Sequence, residues 1–338
     1  MTDMETPVSR KMWSVGGGKG GIGKSVFTLG MGISLARQGK KLILVDADLG
    51  GANLHTLMGV RYPPVTLEDF LLKRVSRLED VIIDTQIEGI GLVCGADDIL
   101  GAANPTYAQK VRLLNQMEAL PADLVLLDLG AGTSFNVLDF FNFYPGKICL
   151  LTSQATSLQN VYGFIKSGLF RHITREFAKE ERVLQLVLET DLKDSEEQVG
   201  SLHDVLLRLK EEDSENYHRL NQLLREYQIH LVVNMVKSDR DFQSVLIIEK
   251  VCNSFLSLKP RVLGRLSHDP AVEAAVNQMM PFPLKQEKSQ AAKDLEAMAE
   301  NILKNCRLPL AAEENLARLA EAGSSTSSWS RFWRRAPA

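Results

Sequence analysis

Gly18-Lys19-Gly20-Gly21-Ile22-Gly23-Lys24-Ser25 is the stretch on which the fold turns. It meets every constrained position of the pattern G-x-x-x-x-G-K-[ST]. Upstream, residues 12–15 read as a short buried strand. Downstream, residues 24–38 read as a helix that Gly39 stops. Strand, glycine loop and helix in that order make a phosphate cradle. Glycines let backbone N–H groups converge on phosphate oxygens without Cβ clashes. The helix start adds the positive end of its dipole. The loop and Val26 behind it would line a nucleotide's phosphates, with Lys24 reaching the β- and γ-phosphates. The Ser25 hydroxyl would ligate Mg²⁺.

Outward from the loop, near-continuous apolar runs recur at 41–45, 91–94, 124–127, 147–151, 184–188, 231–233 and 261–264. Runs of this length indicate parallel strands covered on both faces. Helical patterns lie between most of them, so the class is α/β. The expected architecture is a doubly wound, mostly parallel sheet with helices on both faces. Ligands in such sheets sit beyond the carboxyl ends of the strands. One domain is expected over residues 1–308, with a charged helical excursion at about 191–227. That excursion reads as a solvated helical hairpin or as a docking surface. Residues 309–338 read as a flexible tail, with a short helix at 313–322 and a Gly/Ser-rich linker at 323–328.

Carboxylates stand at the ends of two of these runs. Asp46 and Asp48 close the second strand, and an i, i+2 pair there can face a metal and a water together. Asp128 ends Leu124-Val125-Leu126-Leu127, a pattern in which the acid binds Mg²⁺ through water. Gly130-Ala131-Gly132 follows, a segment whose backbone can approach a γ-phosphate and withdraw. Asn234 ends a later strand, where it is either a turn residue or a contact to a base. His268 reads as a loop residue.

Lys19 within Lys-Gly-Gly-x-Gly-Lys-Ser resembles the deviant Walker A motif of the MinD/ParA ATPases. The resemblance covers about residues 10–305 and leans toward the FlhG (FleN)/MinD branch through Asp46-Ala47-Asp48-Leu49-Gly50 and Gly130-Ala131-Gly132. It implies that ATP and ADP are the nucleotides and that ATP closes a homodimer. Lys19 would then reach across to the other subunit's phosphates. It further implies that Asp46 supports the Mg²⁺ shell, that Asp48 orients or activates the attacking water, and that Asn53 helps hold water and switch. Asn234 would hydrogen-bond the adenine. Residues 152–158 match more softly, because Ser153 and Gln154 stand where proline and glutamate are usual. The function implied is a slow, partner-stimulated ATPase that places or counts a cellular assembly, flagellar or divisional. The alternative is a ParA-like partition ATPase acting on DNA or cargo.

Composition prunes these readings. The 338 residues carry a net charge of -3, with no global basic excess to suggest nucleic acid. Cys94, Cys149, Cys252 and Cys306 are far apart, which argues against a zinc or iron–sulfur ligand set and for burial as small hydrophobes. No signal peptide or membrane span is evident, so a cytoplasmic protein is expected. In the tail, Trp329, Phe332 and Trp333 lie on one helical face among Arg331, Arg334 and Arg335. Residues 329–335 read as a reversible membrane anchor, doubled by dimerisation, or as a sticky disordered tail.

Overall fold

The computed structural model describes residues 8–9, 11–95, 105–192, 200–284, 286–304 and 307–308. The chain enters through β1 (Val8–Ser9) and β2 (Met12–Gly16), which runs through the glycine loop into α1 (Lys24–Arg37) and β3 (Leu42–Ala47). Short helices α2 (Leu54–Leu57) and α3 (Leu67–Leu71) precede β4 (Ile82–Asp84) and β5 (Ile90–Val93). Next come α4 (Tyr107–Glu118), β6 (Leu124–Leu129), α5 (Phe135–Phe143) and β7 (Gly146–Leu151). Helices α6 (Ala155–Glu176), α7 (Glu181–Leu192), α8 (Leu202–Glu212) and α9 (Ser214–Glu226) follow in succession. The rest is β8 (His230–Val236), α10 (Asp239–Leu256), β9 (Arg261–Ser267), α11 (Pro270–Asn277), α12 (Gln290–Lys304) and β10 (Arg307–Leu308).

Eight of the described strands form one sheet in the order β4-β5-β3-β6-β2-β7-β8-β9. All its neighbours are parallel except β4, which runs antiparallel to β5 at the edge. β1 and β10 pair separately as a short antiparallel ribbon. β2 lies between β6 and β7, with Val15 opposite Asp128 and Gly16 opposite Cys149. The connection from β6 to β7 therefore passes over β2, and the crevice where ligands bind in such sheets opens above the glycine loop.

Residues along each strand alternate between two cores, as a pleat requires. In β6, Leu124 and Leu126 join Phe27, Met31, Leu295 and Ile302 beneath α1 and α12. Val125 and Leu127 join Phe140, Phe164, Leu169 and Ile248 on the other face, beneath α5, α6 and α10. Each such side chain taken out of water contributes about 2 kcal/mol. Cys94, Cys149 and Cys252 are buried in these layers, while Cys306 lies outside the described residues.

Two expectations need correction. Residues 184–188 are not a strand but the middle of α7. Val183, Leu186 and Val187 are buried while Leu188 is 60% exposed, which is the spacing of a helix face rather than of a covered strand. The helical excursion also begins earlier than residue 191. Val183, Leu186, Leu202, Val205, Leu220 and Leu224 pack into the same core as α6 and α10, so α7 to α9 continue that layer. The antiparallel edge β4 was not foreseen, because Ile82-Ile83-Asp84 is too short and too exposed to register as an apolar run. The tail readings at 309–338, including 329–335, fall outside the described residues.

Candidate functional site

The loop and helix α1 form as the glycines dictate. Gly23 caps α1 with φ 85° and ψ 26°, a left-handed conformation that glycine adopts without strain. At Gly18 the constraint is space: a Cβ there would run into the carbonyl oxygen of Asn160 in α6. Lys24 is 8% exposed, and its Nζ donates to the Lys19 carbonyl at 3.4 Å. Burial pulls the Lys24 pKa down, opposed by the carboxylates of Asp128 and Asp48. Lys19 by contrast is exposed, together with Gly20 and Gly21 beside it.

Asp46 and Asp128 sit opposite one another on β3 and β6, both essentially inaccessible to solvent. Asp128 accepts a hydrogen bond from Ser25. Its Oδ1 also accepts one from the Thr28 hydroxyl at 3.2 Å. Asp46 accepts backbone N–H bonds from Asn53 at 2.8 Å, Leu54 at 3.0 Å and Asp48 at 3.2 Å. Burial, followed by the nearby Asp46 charge, pushes the Asp128 pKa up to about 7. Burial likewise raises Asp46 to about 6, against the pull of those three N–H groups. Two carboxylates in one dry site titrate as a pair.

The Asp48 carboxylate rests on the segment after β6. A Cβ at Gly130 would come within 2.9 Å of Asp48 Oδ1, so a larger residue there would push that carboxylate aside. The stretch from Asp48 to Leu54 wraps around the Asp46 carboxylate, which thereby sets where Asp48 sits. Asn53 is exposed, and its Nδ2 donates to the Gly51 carbonyl at 2.5 Å. Asn234 is buried at the end of β8, and its Nδ2 donates to the Ile22 carbonyl in the loop at 2.7 Å. His268 donates its backbone N–H to Val236, as befits a loop residue.

The structure thus gathers Gly18 to Ser25, Asp46, Asp48, Asp128, Gly130 and Asn234 at the carboxyl ends of β2, β3, β6 and β8, with Val26 in the first turn of α1. Thr28 belongs to the set and escaped sequence reading. Its signal was its place one helical turn beyond Ser25, on the face turned to Asp128. Asn160 also escaped, because it meets the loop chiefly through its backbone carbonyl, which no residue type signals.

This donor set fits a magnesium nucleotide. The left-handed Gly23 and the close-packed Gly18 form the cradle, and the Ser25 hydroxyl stands on a buried carboxylate. Among the described residues, no three His, Cys, Asp or Glu side chains converge as a preformed metal cage. Mg²⁺ usually takes one or two protein donors and completes its shell with substrate phosphates and water.

The family model of the CobQ/CobB/MinD/ParA nucleotide-binding domain matches residues 13–282. The chain belongs to this family. Antiactivator FleN of Pseudomonas aeruginosa is 29% identical over 155 residues, covering 45% of this chain and 54% of that protein. The flagellum site-determining protein YlxH of Helicobacter pylori is 27% identical over 158 residues, 46% of this chain and 53% of that protein. The chain thus spans about half the length of these curated relatives. The crystal structure of the cell division ATPase MinD of Pyrococcus furiosus superposes with a TM-score of 0.58 at 21% identity, covering 88% of this chain and 99% of that one. That likeness places the fold among the MinD/ParA P-loop proteins.

Proposed function

We propose that the chain is an ATP-driven dimerising switch that binds and slowly hydrolyses ATP to control the position or number of a cellular assembly. The observation that carries this reading is the convergence of a buried Lys24, a Ser25–Asp128 pair and Asp48 on the glycine loop. Family membership and the flagellum-site and cell-division names of the proteins it resembles supply the biological direction.

In this reading Gly18 to Ser25 and Val26 hold the phosphates and Lys24 neutralises their terminal charge. Ser25 and Asp128 would hold Mg²⁺, which when bound screens the charge developing on the phosphates. Asp46 serves at one remove, ordering residues 48–54 through its three N–H bonds. Asp48 orients the attacking water and takes up its proton as ATP and water become ADP and phosphate. The contact between Asp48 and Gly130 couples that water to the segment that follows β6, so cleavage changes a surface as well as a nucleotide. Lys19 is exposed at the loop's tip, where a second subunit can meet it. Binding to a membrane surface through 329–335 and stimulation by a protein partner complete the cycle.

Dimerisation is tested with Lys19→Ala. It should bind ATP with near wild-type affinity yet remain a monomer with ATP in light scattering. A normal ATP dimer removes the cross-subunit role. Co-sedimentation with liposomes or with DNA, in ATP and in ADP, tests the output. ATP-dependent lipid binding is expected, and ATP-dependent DNA binding without lipid binding would favour the partition alternative.

A further inference from the structure

Asn234 is 6% exposed at the carboxyl end of β8, and backbone engages both ends of its amide. Nδ2 donates to the Ile22 carbonyl at 2.7 Å, and Oδ1 accepts the Met235 N–H at 2.8 Å. The bond to Ile22 joins positions 212 residues apart. Met235 takes φ 58°, a conformation that non-glycine residues rarely adopt, so the strand end is bent where it delivers this amide. A Cβ at Gly23 would fall 2.5 Å from Asn234 Nδ2, so the glycine that turns the loop into α1 also makes room for the contact.

The Ile22 carbonyl and the Gly23 N–H belong to one planar trans peptide and point in opposite directions. Anchoring the carbonyl toward β8 therefore aims the N–H away from β8. In a cradle built of N–H groups, one flipped peptide replaces a donor by a carbonyl oxygen that repels phosphate. The geometry points to Asn234 as a positioning residue of the phosphate loop, setting affinity for the phosphate chain whatever base is attached. The inference rests on the nucleotide-binding reading above and extends it from a base contact to a loop clamp.

The test measures binding of MgATP, MgGTP and magnesium tripolyphosphate to the full chain, comparing wild type with Asn234→Asp and Asn234→Ala. Asn234→Asp keeps the acceptor for Met235 and loses the donor to Ile22. Asn234→Ala is neutral and serves if the buried charge prevents folding. A clamp predicts that all three ligands weaken by one common factor, about tenfold, with the ATP-to-GTP ratio unchanged. A lost contact that merely loosened the fold would lower the melting temperature and leave affinity, measured well below it, intact. Weakening confined to ATP, or no weakening of any ligand, overturns the clamp. Failure of the wild-type chain to bind MgATP and tripolyphosphate would instead sink the nucleotide reading and is told apart by that control.

Discussion

Two buried charge clusters among the described residues are built on opposite plans. Under the glycine loop, Asp46 and Asp128 face each other across β3 and β6, with Asp48 near by and Lys24 as their cation. Between α4, α5 and α6, Asp139 is held by two cations. Lys110 Nζ lies 2.8 Å from its Oδ2, and Arg171 donates to both its oxygens at 2.5 and 3.0 Å. Arg171 also stacks over Phe135, and Lys110 reaches Asn136, so three helices meet on one carboxylate. The second cluster pairs its acid with two cations and ties helices together. The first carries more acid than base, and burial pushes Asp46 and Asp128 up toward neutrality. A site that is electrostatically satisfied holds a fold; one short of positive charge is suited to receive it from a ligand.

The contrast can be broken in order of expected effect. Lys24→Ala should abolish nucleotide binding, by about 100-fold or more, because charge-assisted bonds to phosphate are lost from a buried position. Calorimetric titration with MgATP checks this, and near-normal affinity would take the lysine out of the site. Asp48→Asn should slow phosphate release about 100-fold or more while ATP binding persists. Single-turnover hydrolysis is the measurement, and an unchanged rate would move the water-orienting role elsewhere. Asp139→Ala should act the other way, costing about 3 kcal/mol in urea unfolding with little change in nucleotide affinity. A loss of binding with no loss of stability would erase the distinction between the clusters.

The smallest effect is a pH slope. Asp128 and Asp46 hold protons in the folded chain up to about pH 7 and 6, whereas in an unfolded chain they release them near pH 4. Between those limits the folded state binds more protons. The pair's contribution to stability is therefore present at low pH and falls as pH rises toward 7. Asp128→Asn should flatten that fall relative to wild type in melting curves from pH 5 to 8. Identical slopes would mean that the pair does not titrate as its burial requires.

Much of this was legible in advance because its physics is local. Glycines at 18, 20, 21 and 23 beside Lys24 and Ser25 specify a cradle within eight residues, and apolar runs ending in Asp46 and Asp128 place two acids at strand ends. What escaped depended on partners distant in sequence or on period. Residues 184–188 show four apolar side chains in five, and only the exposure of Leu188 reveals a helix. Thr28 acquires its role from Asp128, and Asn234, already a candidate by its strand-end position, acquires its loop contact from Ile22; no short window contains either partner. The Lys110–Asp139–Arg171 cluster joins three helices, and none of its members carries a motif.

The contact at Gly18 has a consequence for which positions can vary. What crowds its missing Cβ most closely is the main-chain carbonyl of Asn160, with the Cβ that any residue but glycine would supply behind it. The loop is thus seated against the path of α6 rather than against its composition. Position 18 is closed to any larger residue, while position 160 is half-exposed and its share of the contact survives most replacements. Of two residues in van der Waals contact at the heart of the site, one would stand out in any mutational scan and the other would pass almost unseen.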